Sequence, residues 1–224
     1  MKKNTLLIFA LLVVIFTTAQ QSPDNTLPKS YLFDHFIKGT VLSKSGAVDE
    51  APLNYNADDQ SIVFFRDGQT FILTNLETID TIYIQNRKFV AADNIFYEVL
   101  TDLSEVSLFV TYHSKTRPLT AISNHDSTTR KAGNDVSNTV TDVYVTRPFN
   151  GDNLVEIQKT YWLGQGNSKY KANTQKQFIK VFFPNESAIK QYIKESNINF
   201  SSSDDLVKLV AFGNNLLAAE MKGK

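Results

Sequence analysis

The chain contains no cysteine. That excludes disulfides, thiolate metal sites, thiol nucleophiles and a lipid-modified cysteine behind an export signal, so stability outside the cytosol has to come from the core. Histidine is almost as scarce. His35, His113 and His125 are the whole complement, with no HExxH and no carboxylate at helical spacing to complete a metal set. They read as surface or rim residues, and neither a metal nor a cofactor is expected. Charge of one sign is not in excess either: Lys plus Arg and Asp plus Glu both number 23. Nothing in that balance attracts a phosphate backbone, so nucleic acid is not an expected partner. No GxSxG occurs, and three histidines offer few bases for a serine nucleophile.

What is present starts with an export signal. Lys2 and Lys3 precede an apolar run from Leu6 to Phe16, and Thr17 and Ala19 supply small residues at the −3 and −1 positions of a cleavage site. Residues 1–19 are therefore predicted to be a signal peptide with cleavage near Ala19, leaving a periplasmic or extracellular chain. The run is too short to span a bilayer comfortably, and no later stretch approaches the roughly 20 apolar residues that a membrane helix needs. Loss of Lys2 and Lys3 takes Lys plus Arg from 23 to 21 against 23 acidic residues, a formal charge of −2.

A polar leader, residues 20–33, leads into a single α+β domain spanning 34–224. Phe at 16 and Tyr at 9, mostly inside alternating segments, point to a sheet as the main element of the core. From residue 34 to 113 the alternation predicts a curved antiparallel β-meander of about eight short strands. In SIVFFRDGQTFIL, Ile62 and Phe64 point one way, Val63 and Phe65 the other, and Asp67-Gly68 supplies the turn. Apolar residues on both faces predict a central hairpin covered on both sides. Further on, Val106, Leu108, Val110 and Tyr112 oppose Ser107, Phe109, Thr111 and His113. Residues 114–139 lose periodicity and read as a mobile, solvated loop. Strand signals return over 140–172, including a hairpin closed by Gly164-Gln-Gly166-Asn167. From 174 to 219 the period becomes helical, with Leu206, Leu209, Val210, Gly213, Leu216 and Leu217 on one face. Asn185 is placed to cap a helix after Pro184, and Ser201 and Ser202 to cap the last one. Strands first and helices afterwards define an α+β domain whose meander, with its later hairpin, is braced by C-terminal helices.

The stretches FIKGTVLSKSG…LNYN, IDTIYIQNRKF…FYEVL and FFPNESAIKQYIKESNINFSSSDDLVKL together resemble an uncharacterised group of secreted proteins from Bacteroidetes-type bacteria, over residues 34–219. The resemblance implies an envelope or extracellular setting and carries over no activity, cofactor or site residue. Asp126-Ser127-Thr128 is similar to the short Asp-Ser/Thr motif that such bacteria O-glycosylate on exported proteins, which makes Ser127 a candidate modification site. Asp80-Thr81-Ile82 matches the motif but lies in a strand.

Carboxylate pairs are the main catalytic candidates, since glycoside hydrolysis uses two carboxyl groups about 5–10 Å apart. Asp58-Asp59 falls between strands, where turn geometry favours acids, and Asp204-Asp205 has a helix-capping role. Glu98, between Tyr97 and Val99 in a strand, is the carboxylate with the strongest claim to burial. Gly164-x-Gly166-x-x-Lys169 lacks the third glycine and the following helix of a phosphate loop, so a hairpin turn is expected there. Tyr161 and Trp162 are consecutive in a strand and point to opposite faces, so at most one joins a given surface; Trp162 is expected in the core. The reading that follows is a non-catalytic exported protein presenting a sheet surface to a protein or glycan partner in the envelope. The candidate surface is Phe109, Thr111, His113, His125 and Trp162. A carboxylate-dependent hydrolase of polysaccharide or peptidoglycan, working through residues such as Glu98 or Asp59, is the alternative. A carrier enclosing an apolar ligand between sheet and helices is a third reading.

Overall fold

A computed structural model describes residues 27–103, 105–118, 144–145 and 153–222. The signal segment 1–19, most of the polar leader and residues 119–139 of the segment read as a loop, with His125 and Ser127, lie outside the described residues. Eleven strands form one antiparallel sheet. They are β1 (Ile37–Ser43), β2 (Val48–Asn56), β3 (Ser61–Arg66), β4 (Gln69–Ile72), β5 (Ile79–Ile84), β6 (Arg87–Ala92), β7 (Ile95–Thr101), β8 (Ser107–Pro118), β9 (Tyr144–Val145), β10 (Asn153–Gln165) and β11 (Ser168–Lys171). Helices α1 (Gln175–Val181), α2 (Glu186–Glu195) and α3 (Ser203–Lys222) follow. The α+β meander with C-terminal helices expected from the alternation is what the chain forms.

Local turn chemistry explains the hairpins. Asp67 and Gly68 both have positive φ, 51° and 78°, as do Asp93 and Asn94 at 53° and 61°. Two consecutive positive φ values are what a two-residue turn between right-twisted strands requires, and Gly, Asn and Asp tolerate them best. The sheet order is β4-β3-β2-β1-β5-β6-β7-β8-β10-β11, with β9 on β10. The meander is broken between β4 and β5, where the chain leaves β4, makes a one-turn 3-10 helix at Leu76–Thr78 and returns to the free side of β1, and again at β9, since β8 pairs with β10. Lys44 N donates to Thr78 O at 2.9 Å and ties that return to the β1–β2 turn.

One face carries the core. Leu53, Tyr55, Ile62, Ile82, Ile84, Phe89, Phe96, Leu108, Val110, Tyr161 and Leu163 are all within 1% of full burial, and alternation with the pairing registers puts them on the same side. The sheet rolls around them. The Tyr55 hydroxyl lies 3.2 Å from Phe96 O and 3.4 Å from Tyr112 O. The β2–β3 corner adds backbone bonds from Phe96 N to Gln60 O and from Ser114 N to Ala57 O, each 2.9 Å.

Two boundaries differ from the sequence expectation. The hairpin β3–β4 is an edge, not a centre: every residue of β4 is exposed. Ile62 and Val63 are buried at its base, but Phe64 stacks on Phe71 at 5.4 Å and Phe65 meets Phe36 at 5.4 Å. Aromatic pairs cover each other where a second layer was expected. β8 also runs on to Pro118, into the segment read as the start of a loop. Its polar end stays in the sheet because β10 pairs with it in unbroken register from Asn153↔Pro118 to Gly164↔Ser107.

The helices close the core face with Phe178, Phe182, Ile189, Ile193, Leu206, Leu209 and Val210, all buried. Asn185 stands at the start of α2 but its side chain makes no capping bond, whereas Ser202 Oγ accepts from Asp205 N at 3.3 Å and caps α3. Asn214 clamps α3 to the sheet: it accepts from Val106 N at 2.9 Å and donates to Val106 O at 2.8 Å. One turn of contact depends on Gly213, where an added Cβ would overlap the Phe182 ring. Gly213→Ala is therefore expected to lose about 1–3 kcal/mol through overpacking despite the better helix propensity of alanine, measured by denaturant unfolding. A gain in stability would show that the Phe182 ring yields without cost.

Candidate functional site

The outer face, turned away from the helices, acquires its site from register. β10 sets Trp162 opposite Phe109 and Thr160 opposite Thr111, with Gln158 opposite His113. On the other side, β11 sets Lys171 opposite Trp162 and Lys169 opposite Gly164. Gly164 is needed there because a Cβ would overlap the Phe109 ring. β7 contributes Tyr97, which meets Trp162 edge-on at 5.8 Å and Phe109 edge-on at 6.3 Å. Such T-shaped pairs are favourable because a positive ring edge faces a negative ring face.

Polar contacts fix the rings in place. Trp162 Nε1 donates to Thr111 Oγ1 at 3.0 Å, and Thr111 is itself 2% exposed. The Tyr97 hydroxyl donates to Asp93 Oδ2 at 3.1 Å. Burial, reinforced by that bond and by the Asp93 charge, pushes the Tyr97 phenol up to about 12. Two ammonium groups then rest on the ring faces: Lys169 Nζ lies 4.8 Å from the Tyr97 centroid and 5.8 Å from that of Phe109, and Lys171 Nζ 5.4 Å from that of Trp162. These are cation–π distances, each contact worth about 0.5–1 kcal/mol at exposed sites.

Phe109, Thr111 and Trp162 are thus brought together as the sequence suggested, with His113 half-buried farther along the same face of β8. Trp162 is not in the core: it is half-buried on the outer face, and Tyr161 takes the core position at 1% exposure. Pairing decides this, because Tyr161 lies opposite Val110 and Trp162 opposite Phe109. Tyr97, Lys169, Lys171 and Gly164 were missed. The signal that could have found the lysines is the Gly166-Asn167 turn, which pairs Gln165 with Ser168 and so puts Lys169 and Lys171 on the Trp162 face.

Glu98 is buried, at 6% exposure, and fully engaged. Arg87 donates from Nε to Oε1 at 2.8 Å and from Nη2 to Oε2 at 2.6 Å, and the Tyr112 hydroxyl donates to Oε2. The guanidinium lies among the rings of Phe33, Tyr112 and Phe89 at 4.9, 5.1 and 5.5 Å. Burial alone would pull the Arg87 pKa down, but its bond to Glu98 and the facing charges carry it above the usual arginine value. Burial and the Glu98 charge push the Tyr112 phenol well above its usual range. Asp59 Oδ1 accepts from Ser61 N at 3.2 Å and from Ser61 Oγ at 2.7 Å, holding the β2–β3 turn. Among the described residues no three His, Asp or Glu side chains come together as a metal set, and no helix is long and apolar enough to cross a membrane. No family model, curated protein or solved structure matches the chain.

Arg87→Met strands a buried carboxylate and is expected to cost about 3–5 kcal/mol. Adding Glu98→Gln removes the stranded charge while keeping the Tyr112 bond, so the double variant should recover at least half of that loss in urea unfolding. If it recovered nothing, packing of the guanidinium and not charge would explain the cost. Tyr97 should ionise near pH 12. An unfolded tyrosine loses its proton first, near 10, so the folded state holds more protons between these values and its stability falls as pH rises through that window. Ultraviolet titration of Tyr97→Phe should lack the step near pH 12.

Proposed function

We propose that the protein is a non-catalytic, exported binding module that offers the outer face of β7, β8, β10 and β11 to a protein or glycan partner in the envelope or outside the cell. The observation that carries this is Trp162, a large apolar ring held on the outer face by its bond to Thr111 and its edge contact with Tyr97. An indole fixed before binding loses little freedom when a partner covers it, and aromatic anchors of this kind dominate recognition surfaces. Export in this reading relies on residues 1–19, in keeping with the likeness to secreted proteins of Bacteroidetes-type bacteria.

The hydrolase alternative needs two carboxyl groups free to exchange protons or attack. Both oxygens of Glu98 are taken by Arg87 and Tyr112, and Asp59 shapes a turn. Binding is therefore the reading the geometry supports better. Trp162→Ala is expected to weaken capture of envelope material about tenfold or more. Trp162→Phe, which keeps a ring for stacking, should retain most of it. Equal capture by wild type and Trp162→Ala would move the search to another surface.

A further inference from the structure

We infer that the Trp162 face recognises an acidic polysaccharide, a chain of carboxylate-bearing sugar rings that stacks on Trp162 and Phe109 and pairs its carboxylates with Lys169 and Lys171. The inference rests on this face being a binding surface and adds the chemistry of its occupant. Its basis is a mismatch of charge. Several outward cations find carboxylates at short range, as in Lys38–Glu50 at 2.6 Å, Lys88–Asp102 at 2.8 Å and Arg117–Glu156 at 3.3 Å; what sets this face apart is two lysines seated on aromatic rings. Lys169 and Lys171 form no ion pair among the described residues. They lie on rings instead, and the carboxylate at the edge of the cluster, Asp93, is already accepting from Tyr97.

An ammonium on a ring face remains half-solvated and keeps its charge uncompensated, so an anion arriving beside the ring completes it without breaking a salt bridge. Spacing narrows the ligand further. Lys169 and Lys171 are two residues apart on one strand, about 7 Å along the chain direction. They stand side by side and do not converge on a point, which suits charges repeated along a chain better than a single small anion. The indole is fixed, and its face, which lies 5.4 Å from Lys171 Nζ, is of the kind that the C–H face of a pyranose covers once the ammonium swings to a carboxylate. A neutral glycan would leave both ammonium groups unused. A run of Asp and Glu would use the lysines but carries no ring to place on Trp162.

The test uses the full exported chain with three immobilised probes: polygalacturonate, its methyl ester, and polyglutamate. Polygalacturonate should be retained, with the ester at least about tenfold weaker and retention falling as salt rises. Lys169→Gln with Lys171→Gln should lose at least about tenfold, two weakened charge contacts each worth several-fold. Arginine at both positions should restore binding, and Trp162→Ala should lose it. Equal binding of the ester, of the double glutamine variant or of Trp162→Ala would overturn the inference. Polyglutamate binding as tightly as polygalacturonate would also overturn it, assigning the face to an acidic protein. If no polyuronate bound while Trp162→Ala still abolished capture of envelope material, the acidic polysaccharide would be excluded and the binding surface would stand.

Discussion

The closure of the sheet at Tyr55 is the constraint on which the other features depend. One phenol from β2 reaches the carbonyls of Phe96 in β7 and Tyr112 in β8, bonds that lie outside any strand ladder. Strands twist on their own, but twist alone does not decide how far a sheet curls. The Tyr55 contacts do, helped by the two backbone bonds from the β2–β3 corner. Burial holds the Tyr55 phenol well above its usual pKa, so it stays a neutral donor even where an exposed tyrosine would ionise. Curling gives the sheet an inside, where the helices pack, and an outside, where the aromatic cluster forms.

The Arg87–Glu98 pair belongs to that inside. Removing two charges from water costs several kcal/mol per ion unless geometry and further hydrogen bonds compensate. Here the guanidinium is bidentate, the second carboxylate oxygen also accepts from Tyr112, and three rings surround the cation. Phe33 comes from the segment ahead of β1, which Asn54 holds through bonds to Phe33 N, Phe33 O and His35 O at 3.1, 2.9 and 3.1 Å. The pair therefore links the incoming chain, β6, β7 and β8. Glu98, the carboxylate with the strongest claim to burial from its place between Tyr97 and Val99, is buried, and its burial has a structural cause.

Much of the architecture was legible because alternation and turn chemistry are local. Val106, Leu108, Val110 and Tyr112 are all buried, as their spacing implied. The stripe on α3 is buried at Leu206, Leu209 and Val210 and half-buried at Leu216 and Leu217. What failed is non-local. The hairpin bearing Phe64 and Phe65 reads as central and covered on both faces, yet aromatic side chains can cover one another at an edge, and no window of sequence distinguishes the two. The return of β5 to β1 is equally invisible, since consecutive strands pair by default. Tyr161 and Trp162 present the same difficulty at the site. Both are aromatic, so alternation gives their opposition but not which faces inward; the pairing of β10 with Val110 in β8 settles it.

A sheet packed by helices on one side can leave much of its other face to water. Phe109 and Trp162 are half-buried there and Tyr97 is 3% exposed, and the lysines complete the cover, with Lys169 Nζ and Lys171 Nζ over the rings. A cover that served only solubility would gain by having its ammonium groups paired with carboxylates, as Lys88 is with Asp102. Among the described residues Lys169 and Lys171 have only the rings, contacts of about 0.5–1 kcal/mol each, which a ligand offering a charge and a stacking face would exceed. On the proposed reading the same two side chains would protect the surface when it is empty and hold the ligand when it is full, because what they give up on exchange is small.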